Sequence, residues 1–169
     1  MIPVAEFKQR VIAVGGNGII SKSALNIRDG GGVFEKVLSE KSYRCAVEIG
    51  TCKGMTALVL SRFFDEVVSI DIVDDGDREA IASYCGVRNI RFVTVANNEE
   101  KAAVINGLTF DGAYVDGDHA RDTVTDFALV KRCGQVLFHE YWPAQPPVWN
   151  LVNSLGTVVT HGKLALWKS

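Results

Sequence analysis

The sequence predicts an α/β protein with a doubly wound, mostly parallel seven-stranded sheet that ends in an antiparallel hairpin. From Arg44 onward, short apolar runs alternate with segments of helical periodicity. This alternation produces right-handed crossovers and places helices on both faces of a parallel sheet. The end of the chain breaks the rhythm, because two strand-like runs at 157–160 and 163–167 flank a His-Gly turn. Such a pair indicates a terminal hairpin.

The individual elements follow from these patterns. Strands are predicted at 44–49, 67–72, 90–95, 111–116 and 134–140. Helices are predicted between and after them, at about 54–64, 77–85, 98–106, 120–131 and 146–154. In the helix at 120–131 we expect Val124, Phe127, Ala128 and Val130 to face the sheet, since they form its apolar side.

The residues before the first strand predict an arm of helix and loop. A short amphipathic helix is predicted from Pro3 to Val14, where a run of glycines ends it. A second helix is predicted from Asp29, a suitable N-cap, to about Glu40. We therefore expect one domain over 1–169, with the arm at 1–43 and a Rossmann-like core at 44–169.

Composition and charge limit the classes of partner. The 169 residues are 47% hydrophobic and 22% charged, which is ordinary for a globular domain. A formal net charge of −2 does not indicate a basic surface, so no nucleic-acid partner is expected. The sequence has neither the apolar core of a signal peptide nor a run of membrane-spanning length. Its four cysteines lack zinc-binding spacing, and we expect a reducing, cytoplasmic location.

Polar residues collect where the predicted strands end. Because the carboxyl ends of parallel strands meet at one edge of a sheet, ligands bind there, at the switch in strand order. The convergence of these residues predicts a functional site in addition to a core. They are Glu48, Gly50 and Thr51 at the first strand, Asp71 at the second, Asp116, Asp118 and His119 at the fourth, and His139, Glu140 and Tyr141 at the fifth.

The first two strand ends predict a nucleoside pocket. Gly50 and Gly54 let the backbone come close to a ligand. Asp71, at the tip of the next strand, can accept hydrogen bonds from both hydroxyls of a ribose. Structural roles remain open for the carboxylates, since Asp71 can instead cap the turn that follows it. Glu48 can instead satisfy nearby backbone N–H groups.

Four segments in this order, together with the terminal hairpin, resemble class I S-adenosylmethionine-dependent methyltransferases. The segments are V-E-I-G-T-C-K-G-M-T-A-L from Val47, S-I-D-I from Ser69, F-D-G-A-Y-V-D-G-D-H from Phe110 and V-L-F-H-E-Y from Val136. The most similar group is the small one that contains catechol O-methyltransferases and their bacterial relatives. The resemblance covers about residues 30–169 and implies the class I methyltransferase fold.

The resemblance also implies a cofactor, S-adenosylmethionine, and the residues that hold it. These residues lie at the ends of the first four strands. They are Glu48 and Gly50 at the methionine part, Thr51 and Gly54 in the turn beneath it, Asp71 on the ribose diol, Ile72 on the adenine, Ala96 and Asn97 at the adenine edge, and Asp116 beside the sulfonium.

The implied chemistry is an in-line methyl transfer to an oxygen, nitrogen or carbon nucleophile that must lose a proton. In the resembling oxygen methyltransferases, a divalent metal lowers the pKa of the acceptor hydroxyl. Its ligands here would be Asp116, His139 and Glu140. This set departs from the usual acid and amide, and histidine suits Mn, Fe or Zn better than Mg. Alternatively, His139 or His119 would act as a general base.

The sequence therefore predicts a cytoplasmic methyltransferase that acts on a small-molecule acceptor by O-methylation, with no membrane partner. Little chain lies outside the sheet to cover an acceptor. We therefore expect an acceptor site that is open or shared with another subunit of a homo-oligomer. The alternative is a non-catalytic or structural domain that retains the fold. The absence of G-x-G-x-x-G spacing and the terminal hairpin both disfavour a nicotinamide dehydrogenase.

Overall fold

The computed structural model describes residues 3–15, 43–74, 76–161 and 163–169. Within these ranges a sheet separates two layers of helices, each with its own apolar core. The helix predicted from Pro3 to Val14 is present as α1 (Val4–Gly15). The helix predicted from Asp29 and most of the arm lie outside the described residues.

A seven-stranded sheet organises the described residues. Its order is β3-β2-β1-β4-β5-β7-β6. The first five strands are parallel, and β7 is antiparallel to both β5 and β6. The seven-stranded sheet and its antiparallel hairpin confirm the predicted α/β fold class. The strands are β1 (Tyr43–Ile49), β2 (Phe64–Asp71), β3 (Ile90–Thr94), β4 (Gly112–Val115), β5 (Gln135–Phe138), β6 (Val158–His161) and β7 (Leu164–Lys168).

Helices cover both faces of this sheet. On one face, the core contains Phe7 from α1 and Leu58 from α2. On the other face, it contains Ile105 from α4 and Phe127 from α5. The helices after α1 are α2 (Met55–Leu60), α3 (Arg78–Tyr84), α4 (Asn98–Asn106), α5 (Thr123–Val130), which continues as a 3-10 turn (Lys131–Cys133), and α6 (Pro146–Ser154).

The helix α1 belongs to the first of these cores. Phe7 and Val11 are each 1% exposed. Arg10 donates a hydrogen bond from Nη1 to the backbone carbonyl of Tyr84 in the last turn of α3, at 2.6 Å. The described beginning of the predicted arm is therefore a helix packed on the α/β core.

The buried face of α5 differs from the prediction. Phe127 is buried as expected, but Val124 is 58% exposed and Ala128 is exposed as well. Asp126, beside Phe127, is buried instead. Its Oδ1 pairs with Nζ of Lys101 in α4 at 2.5 Å. A charged pair can be buried when each charge compensates the other. The apolar pattern alone therefore predicted the wrong face for two residues.

Among the described residues, no helix combines the length and the apolar character needed to cross a membrane. All four cysteines are free thiols, and Cys45 and Cys85 are buried. Burial raises the pKa of both thiols, to about 11 for Cys45. Both therefore act as small apolar groups.

Candidate functional site

A cleft opens at the carboxyl ends of β1, β2 and β4, where the strand order switches. Its volume is about 640 Å³, within the range of roughly 300–1,000 Å³ that small-molecule sites occupy. The lining residues come from 50–56, 71–73 and 116–118. The predicted cofactor residues on this wall are Gly50, Thr51, Asp71, Ile72 and Asp116.

The loop between β1 and α2 forms one wall of the cleft and depends on its glycines. Gly50 has φ +89°, a left-handed conformation that favours glycine. A Cβ atom at Gly50 would lie 2.2 Å from the carbonyl oxygen of Asp116. Gly54 has φ +76°, and a Cβ atom there would lie 3.0 Å from the ring of Phe92. The backbone path itself therefore requires both glycines.

Asp71 is held at the end of β2 by three backbone N–H groups. Its Oδ2 accepts hydrogen bonds from Thr51 N and Cys52 N, both at 2.8 Å. Its Oδ1 accepts one from Val73 N at 3.1 Å. Because a carboxylate oxygen has about two acceptor sites, Oδ1 can accept one more hydrogen bond. Asp71 therefore caps its own turn and still has capacity for a ribose hydroxyl.

Glu48 lies behind the wall of the cleft. The side chain is fully buried, and Ser69, its register partner in β2, donates a hydrogen bond to Oε2. Its Oε1 has no hydrogen-bond partner among the described residues. Burial raises the pKa of Glu48 from 4.5 to about 8. The Ser69 hydroxyl also lies 2.6 Å from Thr51 Oγ1, so Glu48 is connected to the cleft through two hydroxyl groups.

Arg78 joins the two loops that form the cleft, and no sequence pattern indicated this role. It is the first residue of α3 and only 2% exposed. Its Nε donates a hydrogen bond to the carbonyl of Cys52 at 2.8 Å. Its Nη2 donates another to the carbonyl of Val73. One guanidinium group therefore fixes the loop after β1 relative to the loop after β2.

The residues predicted on the adenine side divide into two groups. Ile72 is 62% exposed on the cleft wall, where it offers an apolar surface. Ala96 and Asn97 are not among the described residues that line the cleft. Asn97 Oδ1 accepts a hydrogen bond from Glu100 N at 2.9 Å, and Ala96 N donates one to Glu100 Oε2 at 2.7 Å. These bonds resemble a capping box for α4, and contact with adenine stays a prediction.

The three residues predicted for catalysis come together as a cluster of Asp116, His119 and His139. Asp116 Oδ1 lies 2.6 Å from His139 Nδ1 and 3.1 Å from His119 Nε2. Burial alone would raise the pKa of Asp116, but the hydrogen bonds from both imidazoles lower it. Burial alone would lower the pKa of His139, but Asp116 raises it. The cluster therefore places a carboxylate between two imidazoles beside the cleft, and its charge favours the protonated form of His139.

The cluster also has the donor set of a metal site. One ligand atom from each of its residues lies within 4.8 Å of the others. A carboxylate oxygen and two imidazole nitrogens suit a divalent transition metal. Glu140, the third predicted ligand, is outside this group, and both its carboxylate oxygens accept hydrogen bonds from Lys163 Nζ at 3.2 Å. The group contains His119 instead, and the metal ligand set stays a prediction.

Comparisons with known proteins identify the architecture. The sequence matches no family model and no curated protein. The structure is similar to an O-methyltransferase from Bacillus cereus in complex with SAH (S-adenosylhomocysteine), with a TM-score of 0.68 and 14% identity over 100% of this chain and 93% of that one. A cofactor-bound protein from MTB has a TM-score of 0.69 and 16% identity over 99% of this chain and 90% of that one. An rRNA methylase from Streptococcus thermophilus has a TM-score of 0.62 and 15% identity over 80% of this chain and 93% of that one.

The strand order, the antiparallel hairpin and these similarities define the class: the chain has the class I methyltransferase fold. At 14–16% identity the likeness establishes the fold, not the activity. Activity must therefore be argued from the cleft and the cluster.

Proposed function

We propose that this protein binds S-adenosylmethionine in the cleft and transfers its methyl group to a small-molecule acceptor. The observation that carries the proposal is the carboxylate of Asp71, which three N–H groups fix at the end of β2 while Oδ1 can accept a further hydrogen bond. A ribose diol provides the matching donors. The exposed side chain of Ile72 provides an apolar surface beside it for the adenine.

The charge of the cleft supports a cationic donor. Asp71, Asp116 and Asp118 line it together with one basic residue, Lys53. S-adenosylmethionine carries a sulfonium and an ammonium group, which nearby carboxylates attract. The phosphates of RNA would be repelled by the same carboxylates. We therefore propose a small molecule as the acceptor, although a similar structure is an rRNA methylase.

The proposed reaction is an in-line displacement. A lone pair of the acceptor, which we propose is a hydroxyl oxygen, attacks the methyl carbon. The carbon–sulfur bond breaks, and its electron pair stays on sulfur as a neutral thioether. The cleft aligns the two reactants.

The proton of the acceptor hydroxyl is transferred to the cluster of Asp116, His119 and His139. His139 acts as the general base when no metal is bound, and Asp116 stabilises the imidazolium that forms. His119 contacts the same carboxylate oxygen and supports its position. A divalent metal held by these three residues would instead lower the pKa of the acceptor hydroxyl.

Binding of S-adenosylhomocysteine tests the cofactor proposal without an acceptor. We expect calorimetry to show one-to-one binding, and at least about tenfold weaker affinity in Asp71→Asn. The reason is that a hydrogen bond to a charged group contributes about 1.5–3 kcal/mol. Asp77→Asn is the matched control, because Asp77 is exposed and its side chain makes no capping bond. Equal affinity in the two variants would contradict the proposed contact between Asp71 and the ribose. Absence of binding to the wild-type protein would contradict the cofactor proposal, and only the fold assignment would remain.

Transfer itself is tested with a labelled methyl donor. We expect label to enter a pool of hydroxylated or amino-bearing small molecules and not an RNA pool. Transfer to RNA alone would overturn the proposed acceptor class. Binding of the cofactor without transfer to either pool would favour the alternative, a non-catalytic domain that retains the fold.

A further inference from the structure

Two imidazoles converge on one carboxylate oxygen beside the cleft. His139 Nδ1 and His119 Nε2 lie 2.6 and 3.1 Å from Asp116 Oδ1, and the three ligand atoms lie within 4.8 Å of one another. Metal–ligand bonds of about 2.0–2.2 Å fit within such a group. We propose that the cluster of Asp116, His119 and His139 binds one divalent transition metal ion, such as Zn²⁺, and discriminates against Mg²⁺.

The donor atoms decide which metal is bound. Mg²⁺ prefers an octahedron of oxygen ligands and keeps several waters. Imidazole nitrogen suits Zn, Fe, Ni and Cu, and two histidines with one carboxylate leave open positions on such a metal. The usual acid and amide pair of the methyltransferases that this chain resembles offers oxygen ligands only. Replacing part of that set by His119 and His139 therefore changes the class of metal.

The three ligands are positioned by bonds that need no metal. The backbone N–H of Asp116 donates a hydrogen bond to the last carbonyl of β1 at 2.8 Å. The N–H of His139 donates one to the last carbonyl of β4 at 3.1 Å. The carbonyl of His119 accepts a hydrogen bond from the hydroxyl of Thr123, the first residue of α5, at 3.2 Å. Because β1, β4 and α5 each contribute one anchor, the site is assembled by the fold.

Glu140 lies on the other side of the His139 ring, at ion-pair distance but beyond hydrogen-bond distance. Its Oε1 lies 3.7 Å from His139 Nε2, the nitrogen that does not face Asp116. A carboxylate behind a histidine ligand is a common way to orient the ring and raise its basicity. Glu140 has φ +55°, a left-handed conformation that is uncommon for a residue with a side chain. Lys163 binds both oxygens of its carboxylate, which fixes the carboxylate near the ring.

This inference deepens the proposed function but does not depend on it. Asp116 belongs both to the cluster and to the cleft wall, so the bound metal would lie at the proposed acceptor. A metal bound to His139 Nδ1 would replace the hydrogen bond between that nitrogen and Asp116. Metal binding to the cofactor-free protein is therefore measured separately from the general-base role, which involves the other ring nitrogen.

A cobalt titration tests the site directly. Metal-free protein is titrated with Co²⁺ while the visible absorption bands of the bound ion are recorded, and Zn²⁺ and Mg²⁺ are added as competitors. We expect one equivalent of Co²⁺ to bind, Zn²⁺ to displace it, and excess Mg²⁺ to have no effect. His119→Ala and His139→Ala should each weaken binding at least about 100-fold, since loss of even an outer-shell partner costs 10–100-fold.

His161→Ala is the matched control, because it removes the third histidine of the chain, in β6, and should leave the affinity unchanged. Circular dichroism of each metal-free variant checks the fold, and if His139→Ala does not fold, His119→Ala decides. Unchanged affinity in the folded histidine variants, a thiolate charge-transfer band, or equal displacement by Mg²⁺ would overturn the site. S-adenosylhomocysteine binding is measured on the same metal-free samples. Loss of one kind of binding without the other therefore identifies which proposal fails.

Discussion

Glu48 is a buried acid whose protonation affects stability. Burial raises its pKa from 4.5 to about 8. The folded protein therefore keeps a proton that the unfolded chain releases at a lower pH. Stability from this group is fully present below the unfolded pKa and is lost as pH rises to the folded one. The loss is about 1.4 kcal/mol per pH unit between the two values.

Glu48→Gln should remove this dependence. Glutamine has a similar shape, can still accept the hydrogen bond from Ser69, and does not ionise. We expect the variant to gain stability over wild type progressively from about pH 5 to pH 8, by about 4 kcal/mol in total. Urea unfolding across that range measures the difference. Glu66→Gln, at an exposed position of the neighbouring strand β2, is the control. Parallel curves for wild type and Glu48→Gln would show that folding does not raise the pKa of Glu48.

Single residues differ in how far the sequence could predict them. Asp71 and Gly50 were predictable because a carboxylate and a glycine at consecutive strand ends have few other uses. Glu48 was placed correctly along β1, but its complete burial depends on packing that a pattern does not contain. Arg78 could not be predicted, because it binds backbone carbonyls of Cys52 and Val73, and carbonyls leave no signature in the sequence.

Among the elements, the two loops of the cleft depend on Arg78 for their relative position. Arg78→Met keeps the length and apolar stem of the side chain and removes both hydrogen bonds. We expect the free energy of unfolding to fall by about 3–6 kcal/mol, since hydrogen bonds to charged groups contribute about 1.5–3 kcal/mol each. S-adenosylhomocysteine affinity should fall as well, because the loops that bear Thr51 and Asp71 lose their connection.

The controls separate positioning from folding. Arg88→Met makes the same chemical change at an exposed residue near the start of β3 and should alter neither quantity. Arg78→Lys should restore part of the affinity, because an ammonium can still reach one carbonyl. Reduced stability with unchanged S-adenosylhomocysteine affinity would limit Arg78 to a folding role.

The elements were predicted best where burial is uniform. Strands buried on both faces appear as continuous apolar runs, and β4 and β5, which are buried at every position, were predicted from such runs. The helix α5 has one charged residue on its buried face, Asp126, which pairs with Lys101 of α4. The partner is contributed by another element, so the apolar pattern assigned Val124 and Ala128 to the wrong side.

For the molecule as a whole, Asp71 and the terminal hairpin lie in different parts of one sheet. Asp71 ends β2, and β1, β4 and β5 separate this strand from β7. The hairpin covers the edge of β5, and its central residues Ala165 and Leu166 are buried. Global stability and cofactor binding should therefore be separable, because distant sites without shared partners contribute additively.

Leu166→Ala tests this separation. Leu166 is 1% exposed and has Leu137 of β5 and Val159 of β6 as its register partners, so truncation should lower the free energy of unfolding by about 2–5 kcal/mol. We expect S-adenosylhomocysteine affinity, measured below the unfolding transition, to remain unchanged. Val159→Ala, at a side chain that is 39% exposed, should have a smaller effect on stability. A loss of affinity in Leu166→Ala would show instead that packing in the hairpin is transmitted through three strands to the carboxylate that we propose binds the ribose.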